Sequence, residues 1–228
     1  MLLVPCIALF INWHWQPNAS QTSLYIIYIL TESGSLPFAL LTCAMFTGLL
    51  LLYLKLDLKK SALFVFSLFL CIGAGQAVKS AIKSMEQEPR PYVMWIDEQG
   101  YMPQEAFYSL PRNDRAAFIH AQDFSDHGVP DWLQQHWEKE TGYSFPSGHT
   151  IFAVQWVLIF GLLLWRQKII LTLIVLWGLV MEASRLLLGM HWPIDEIVSC
   201  FLAPVIVYLT SLGWSRWIFN TKHHASCP

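Results

Sequence analysis

The sequence predicts an all-α integral membrane protein with six transmembrane helices and a largely helical external segment between the third and fourth. Three observations predict it. Of 228 residues, 55% are hydrophobic and only 13% charged, which is too apolar for an ordinary soluble domain. The apolar residues gather in runs, most of them near the roughly 20 residues a helix needs to cross a bilayer. The 11 Trp suit a chain with two membrane–water interfaces to line.

Taken in order, the first run, residues 1–13, is short for a crossing. It begins Met1-Leu2-Leu3, with no charged leader pattern, so it is expected to be retained. Residues 24–30 (LYIIYIL) are too few to span and are expected in the interface or packed on other helices. Runs at 37–56 and 61–78 form the second and third spans. Runs at 150–165, 169–183 and 194–214 form the fourth to sixth. Residues 85–145 are the one large polar segment, with some helix expected in 131–140. With no internal repeat, the chain reads as a single domain, 1–228, with 85–145 inserted.

Charge orients this arrangement. The polar segment carries 11 acids against 4 bases. The short connections are basic: Lys55, Lys59 and Lys60; Arg166 and Lys168; Arg216 and Lys222. The positive-inside rule puts those three in the cytoplasm, the polar segment outside and both termini inside. A net charge of −2 with no basic tract excludes nucleic acid as a partner. Cys6, Cys43, Cys71, Cys200 and Cys227 include no CxxC and read as small apolar residues, with no disulfide framework and no metal site.

Three polar blocks break the apolar pattern, and the predicted topology brings all three to the external side. Ionisable groups beside membrane spans are costly and mark function. In the first block, Lys79 and Lys83 share a helix face, and Pro91 turns the chain so that Arg90 folds back. Fixed cations clamp phosphoryl oxygens; read alone, the two lysines are better explained as snorkelling side chains.

In the second block, Pro146-Ser147-Gly148-His149 opens the fourth helix. Ser147 suits an N-cap, Gly148 admits close backbone approach, and free N–H groups there bind anions. His149 supplies a proton-transfer group. Four such residues alone are equally an ordinary helix start. The third block is Ser184-Arg185 with His191 and Asp195. Asp195 is near enough to hydrogen-bond a ring nitrogen of His191, as a catalytic His–Asp pair requires. Arg185 needs a partner, and Glu182 or a phosphate would serve. An Arg–carboxylate pair beside an interfacial His explains this block alone as well. Those separate explanations fail jointly, since they leave three costly clusters on one membrane face.

The blocks resemble the type 2 phosphatidic acid phosphatase (PAP2) superfamily, with its pattern Lys-x6-Arg-Pro, Pro-Ser-Gly-His and Ser-Arg-x5-His-x3-Asp. Lys83 with Arg90-Pro91, Pro146 to His149, and Ser184-Arg185 with His191 and Asp195 meet it at every position. The resemblance implies a metal-independent, cofactor-free lipid phosphate phosphatase with catalytic residues His191, His149 and Asp195. His191 would attack phosphorus, Asp195 would orient it, and His149 would protonate the leaving oxygen and then help water hydrolyse the phosphohistidine. Lys83, Arg90, Ser147, Gly148 and Arg185 would hold the phosphate; Lys79 joins them on spacing alone.

The implied partners are the bilayer and a phospholipid or polyprenyl (pyro)phosphate, with no protein partner inferred. The implied substrates are phosphatidylglycerol phosphate, phosphatidic acid, lysophosphatidic acid, diacylglycerol pyrophosphate and undecaprenyl pyrophosphate. The implied location is the bacterial inner (plasma) membrane, with the site on the periplasmic face. A dedicated undecaprenyl-pyrophosphate phosphatase and a lipid phosphotransferase fit the same blocks and differ in substrate or acceptor. A non-catalytic lipid-phosphate binder or transporter fits less well, because His191 and Asp195 have no task in it.

Overall fold

Prolines and capping residues cut the chain into helices where the sequence marks them. The computed structural model describes residues 1–17 and 24–214. Among the described residues every α-helix is joined by loops or 3-10 turns, and no strand occurs. Two eight-residue helices come first, α1 (Leu3–Phe10) and α2 (Tyr25–Glu32). Helix α3 (Phe38–Leu54) ends where Lys55 turns left-handed, with φ 48°. Helix α4 (Leu58–Glu86) starts at Asp57, whose side chain accepts from the Lys60 N–H at 2.9 Å.

The polar segment folds as α5 (Pro91–Glu98), α6 (Gln104–Ser109), α7 (Arg112–Ala121), a 3-10 turn (Ser125–His127) and α8 (Asp131–Lys139). Each of its α-helices starts at or directly after a proline, namely Pro91, Pro103, Pro111 and Pro130. Proline suits that place because its missing N–H would be unpaired there anyway. Helices α9 (Gly148–Leu163), α10 (Lys168–Leu187) and α11 (Pro193–Ser211) complete the described chain.

Three stretches are long and apolar enough to cross a membrane: Leu58–Glu98, Lys168–Leu187 and Pro193–Ser211. Helices α3 and α9 are apolar but shorter, at 17 and 16 residues. Leu41, Leu52, Phe69, Ile169, Phe201 and Leu209 point outward and are exposed on the bundle. An apolar outside around an apolar inside suits lipid as the surrounding solvent. Lipid removes the hydrophobic gain of helix association, so close packing and internal hydrogen bonds must hold the bundle. Helix α9 sits centrally against α4, α10 and α11. A Cβ on Gly75 of α4 would lie 2.6 Å from Gln155 Oε1 of α9, and Gln155 Nε2 donates to the Cys71 carbonyl at 2.7 Å. Phe46 of α3 meets Trp156, Phe160 and Trp177 edge-on, with centroids 5.1–5.4 Å apart.

Helix α1 is about 12 Å long at the usual rise of ~1.5 Å per residue. It packs on α11 and α10, and the residues flanking it, Met1 and Trp15, lie against Gly178 and Gly189. Helix α2, the short apolar run, packs on α10.

A second core forms beneath the polar segment, from Trp15, Tyr92, Trp95, Phe107, Phe124, Leu133 and Trp137. Burying a side chain such as Phe107 or Leu133 away from water contributes about 1.5–3 kcal/mol. Tyr92 stacks on Trp137 at 4.8 Å. Trp137 and Trp15 donate to the carbonyls of Leu188 and Leu187, at 3.0 and 2.8 Å, which rivets this layer to the end of α10. Trp15, Trp95, Trp137 and Trp156 are thus core residues, contrary to the interfacial role expected of tryptophan.

Helices α3, α4, α9, α10 and α11 alternate in direction. The end of α4, the start of α9 and the α10–α11 turn meet at one end of the bundle, as expected of the three blocks. Lys55, Lys59, Lys60, Arg166 and Lys168 lie at the other end. Arg216, Lys222 and Cys227 lie outside the described residues.

Candidate active site

The α10–α11 turn places the third block. Gly189 takes φ +72°, and a Cβ there would lie 2.8 Å from the Trp15 ring, so both backbone and space require glycine. The His191 N–H then donates to the Arg185 carbonyl at 3.1 Å. Pro193 starts α11, and Asp195 caps it by accepting from the Trp192 N–H at 3.0 Å. The same oxygen, Oδ2, accepts from His191 Nδ1 at 3.0 Å. One helix start thus fixes both members of the pair. With Nδ1–H donated to the carboxylate, Nε2 carries the lone pair. Burial, reinforced by Lys83, Arg90 and Arg185, holds His191 well below the usual imidazole pKa. The ring is neutral at ordinary pH, as a nucleophile must be.

The cations come from α4, the start of α5 and α10. Lys83 Nζ donates to the Tyr143 carbonyl at 2.6 Å and to that of Ser144. Arg90 is extended before Pro91 and folds back as expected. Its Nε donates to the Gly142 carbonyl at 2.7 Å, and Nη1 reaches the Met190 carbonyl at 3.3 Å. Arg185 is fully buried. Its Nη2 donates to Glu140 Oε2 at 2.8 Å, while Nη1 lies 3.4 Å from Thr31 Oγ1 and 3.3 Å from His136 Nε2. Glu182 is not its partner, contrary to one sequence expectation. That carboxylate turns toward α11 and accepts from Cys200 Sγ at 3.3 Å.

The second block opens α9 as its residue types imply. Ser147 Oγ accepts from the Thr150 N–H at 3.3 Å and from Thr150 Oγ1 at 2.9 Å. A Cβ on Gly148 would lie 2.5 Å from Lys79 Cδ, so glycine here lets the Lys79 stem cross the helix start. His149 Nε2 lies 2.9 Å from Ser35 Oγ and 3.9 Å from Glu140 Oε1.

These groups surround a cavity of about 640 Å³. Lys79, Lys83, Arg90, Gly148, His149 and His191 line it. Ser147, Arg185 and Asp195 stand behind that wall, where they hold His191 and the helix start in place. The geometry fits a tetrahedral anion. Positive groups converge from several directions, and a neutral imidazole backed by a carboxylate faces the space.

Five residues of the site escaped the sequence reading: Thr31, Glu32, Ser35, His136 and Glu140. Glu140 Oε2 lies 2.8 Å from Arg185 and 3.2 Å from Arg90. Burial pushes its carboxyl up, but Arg185, His149, Arg90 and His136 outweigh that and hold it well below the usual range. It is an ionised internal anion among the very cations assigned to phosphate. Its signal was position, nine residues before His149 in the same polar stretch. His136 is buried, with Nδ1 3.4 Å from Glu32 Oε1, and burial lowers its pKa against the pull of Glu32 and Glu140. Thr31, Glu32 and Ser35 had a fainter signal, as polar residues ending a short apolar helix.

The sequence matches the PAP2 superfamily over residues 64–219, a stretch that contains all three blocks. It is 38% identical over 210 residues to phosphatidylglycerophosphatase B of Escherichia coli (strain K12), covering 91% of this chain and 83% of that protein. It is 41% identical over 214 residues to phosphatidylglycerophosphatase B of Haemophilus influenzae, covering 90% of this chain and 88% of that protein.

Proposed function

We propose that this chain, which belongs to the PAP2 superfamily, removes the terminal phosphate of phosphatidylglycerol phosphate through a phosphohistidine on His191. The family and the relatives make it a lipid phosphate phosphatase. The substrate and the course of reaction are inferred. The observation that carries the inference is the 3.0 Å bond from His191 Nδ1 to Asp195 Oδ2, with the ring facing a cationic cavity.

In the first step the Nε2 lone pair of His191 forms the N–P bond as the P–O bond to the lipid breaks. His149 gives its proton to the leaving oxygen, and the lipid alcohol departs. In the second step water attacks phosphorus, the N–P bond breaks and its electrons return to Nε2. The proton of the attacking water goes to His149, and inorganic phosphate leaves. Asp195 steadies the positive charge on His191 throughout. Lys83, Arg90 and the Gly148 N–H hold the phosphoryl oxygens, with Lys79 beside them. Arg185 joins them once Glu140 releases it, and Ser147, bonded to Thr150, holds the helix start in place. Phosphate entry requires Glu140 to release Arg90 and Arg185. The same constellation accommodates phosphatidic acid, lysophosphatidic acid, diacylglycerol pyrophosphate and undecaprenyl pyrophosphate, since each presents a terminal phosphoryl group.

In the membrane, α3, α4, α9, α10 and α11 are taken as the crossing helices, while α1, about 12 Å long, reaches only part of the way across, so the sixth crossing expected from the sequence is not assigned to it. The basic connections opposite the site support a cytoplasmic far side and a periplasmic cavity in a bacterial inner membrane. The test is phosphate release from phosphatidylglycerol phosphate by purified protein in the presence of a chelator. Wild type is expected to turn over and to form an acid-labile phosphoprotein; His191→Ala is expected to do neither. Full turnover in His191→Ala would overturn the proposal.

A further inference from the structure

The turn between α2 and α3 carries no part of the three blocks, yet it touches the site. Ser33 is fixed from two sides, its carbonyl accepting from Thr42 Oγ1 at 2.8 Å and its hydroxyl from Trp177 Nε1 at 2.9 Å. The Ser35 N–H donates to the Glu32 carbonyl at 2.9 Å. At Gly34 an added Cβ would come within 2.8 Å of His149 Cδ2, so the chain lies directly against the imidazole edge. Ser35 Oγ then meets His149 Nε2 at 2.9 Å and lines the cavity.

The two histidines are supported differently. His191 has a carboxylate at hydrogen-bond distance, Asp195. His149 has none, because Glu140 Oε1 stands 3.9 Å away. Among the described residues, Ser35 supplies the hydrogen bond to the His149 ring. A ring held at one edge by glycine backbone and at Nε2 by a hydroxyl has its orientation determined.

We propose that Ser35 is the positioning residue of His149, a proposal that rests on the general-acid role given to His149 above. When His149 is protonated, Nε2–H donates to Ser35 Oγ and so points into the cavity. As the P–O bond breaks, the leaving oxygen takes that proton and His149 becomes neutral. The Ser35 hydroxyl then donates to Nε2 and keeps the ring in place, and it gives up that bond when Nε2 takes the proton of the attacking water. Proton and electron counts are unchanged by Ser35, which only holds the donor in line.

The test separates positioning from mere structure by leaving group. The first-turnover release of alcohol is measured by rapid quench on a lipid phosphomonoester and on p-nitrophenyl phosphate. The lipid alkoxide needs a proton to depart; p-nitrophenolate does not. Ser35→Ala is expected to slow the lipid reaction about tenfold, the order of one hydrogen bond to a charged group. It is expected to slow p-nitrophenyl phosphate by less than about twofold. Ser35→Thr, which keeps the hydroxyl, is expected to restore most of the lipid rate, and this also guards against misfolding of the alanine variant. Equal slowing of both substrates, or no slowing, would overturn the proposal. His149→Ala is run beside it. Leaving-group dependence in His149→Ala but none in Ser35→Ala removes Ser35 alone, while no dependence in His149→Ala removes the general-acid reading and the Ser35 proposal with it.

Discussion

Arg185 Nη2 and Glu140 Oε2 lie 2.8 Å apart, and the same carboxylate oxygen is 3.2 Å from Arg90 Nη1. A carboxylate thus neutralises two of the cations a phosphate must use. A charge-assisted hydrogen bond is worth about 1.5–3 kcal/mol, so an internal anion taxes phosphate affinity. In Glu140→Gln, inorganic phosphate is expected to inhibit at roughly tenfold lower concentration, which corresponds to ~1.4 kcal/mol. Thermal stability is expected to fall, since Arg185 loses its buried counter-charge. Competitive inhibition by phosphate and a thermal unfolding scan measure both. Unchanged inhibition would show that Glu140 does not compete with phosphate.

The same residue predicts a pH dependence of stability. The Glu140 carboxyl is held well below its usual pKa in the folded protein, chiefly because Arg185, His149 and Arg90 outweigh the effect of burial. A depressed folded pKa stabilises above the unfolded value of about 4.3 and loses that stabilisation as pH falls toward the folded value. The wild-type melting temperature is expected to drop as pH falls below about 4.3, and more steeply than that of Glu140→Gln. Parallel curves for the two proteins would refute the assignment.

The activity profile is set by the histidines. Burial, then Lys83, Arg90 and Arg185, lower the His191 pKa, so the nucleophile stays neutral well below pH 6.5. His149 must instead be protonated. The kcat/KM profile is therefore expected to be bell-shaped, with an acid limb well below the free imidazole value. Asp195→Asn removes the carboxylate that fixes the Nδ1–H tautomer, and is expected to lower kcat on the order of 10⁴-fold while leaving KM near wild type. A monotonic profile under conditions where chemistry limits the rate would contradict these roles.

Much of this was legible in the sequence for a simple reason. In an apolar chain, Lys83, Arg90, His149, Arg185, His191 and Asp195 stand out as costly groups, and loop charge alone orders them onto one end. The turn at 31–35 was not legible, because its contacts are long-range: Thr31 meets Arg185 across 154 positions and Ser35 meets His149 across 114. Glu140 was one of 11 acids in an acidic segment, so charge could not single it out. The expected Glu182–Arg185 contact failed for a related reason. Helical spacing puts the two near each other, but packing turned Glu182 to α11 and Arg185 to the site.

Gly189 links the fold to the nucleophile. It holds φ +72° two residues before His191, and Trp15 leaves no space for a Cβ. A left-handed alanine costs about 1–2 kcal/mol, and the Trp15 contact adds to it. Gly189→Ala is expected to lower the melting temperature and to reduce kcat by about 10²-fold, because a displacement near 1 Å at a reacting atom has that effect. Wild-type kcat in a destabilised Gly189→Ala would separate the turn from the chemistry.

The membrane orientation is tested by accessibility. Asp114 lies in α7, exposed, in the acidic layer beside the cavity; Lys59 lies at the opposite end, at the start of α4. Single cysteines are placed at these two positions after the native cysteines are replaced. An impermeant thiol reagent is expected to label Asp114→Cys in spheroplasts and Lys59→Cys only after the membrane is opened. The acidic segment cannot be cytoplasmic if that holds, because α4 is the one long apolar helix between the two positions and runs once through the bundle. The reverse labelling pattern would put the cavity on the cytoplasmic face, where the lipid phosphates that reach it would be those of the inner leaflet.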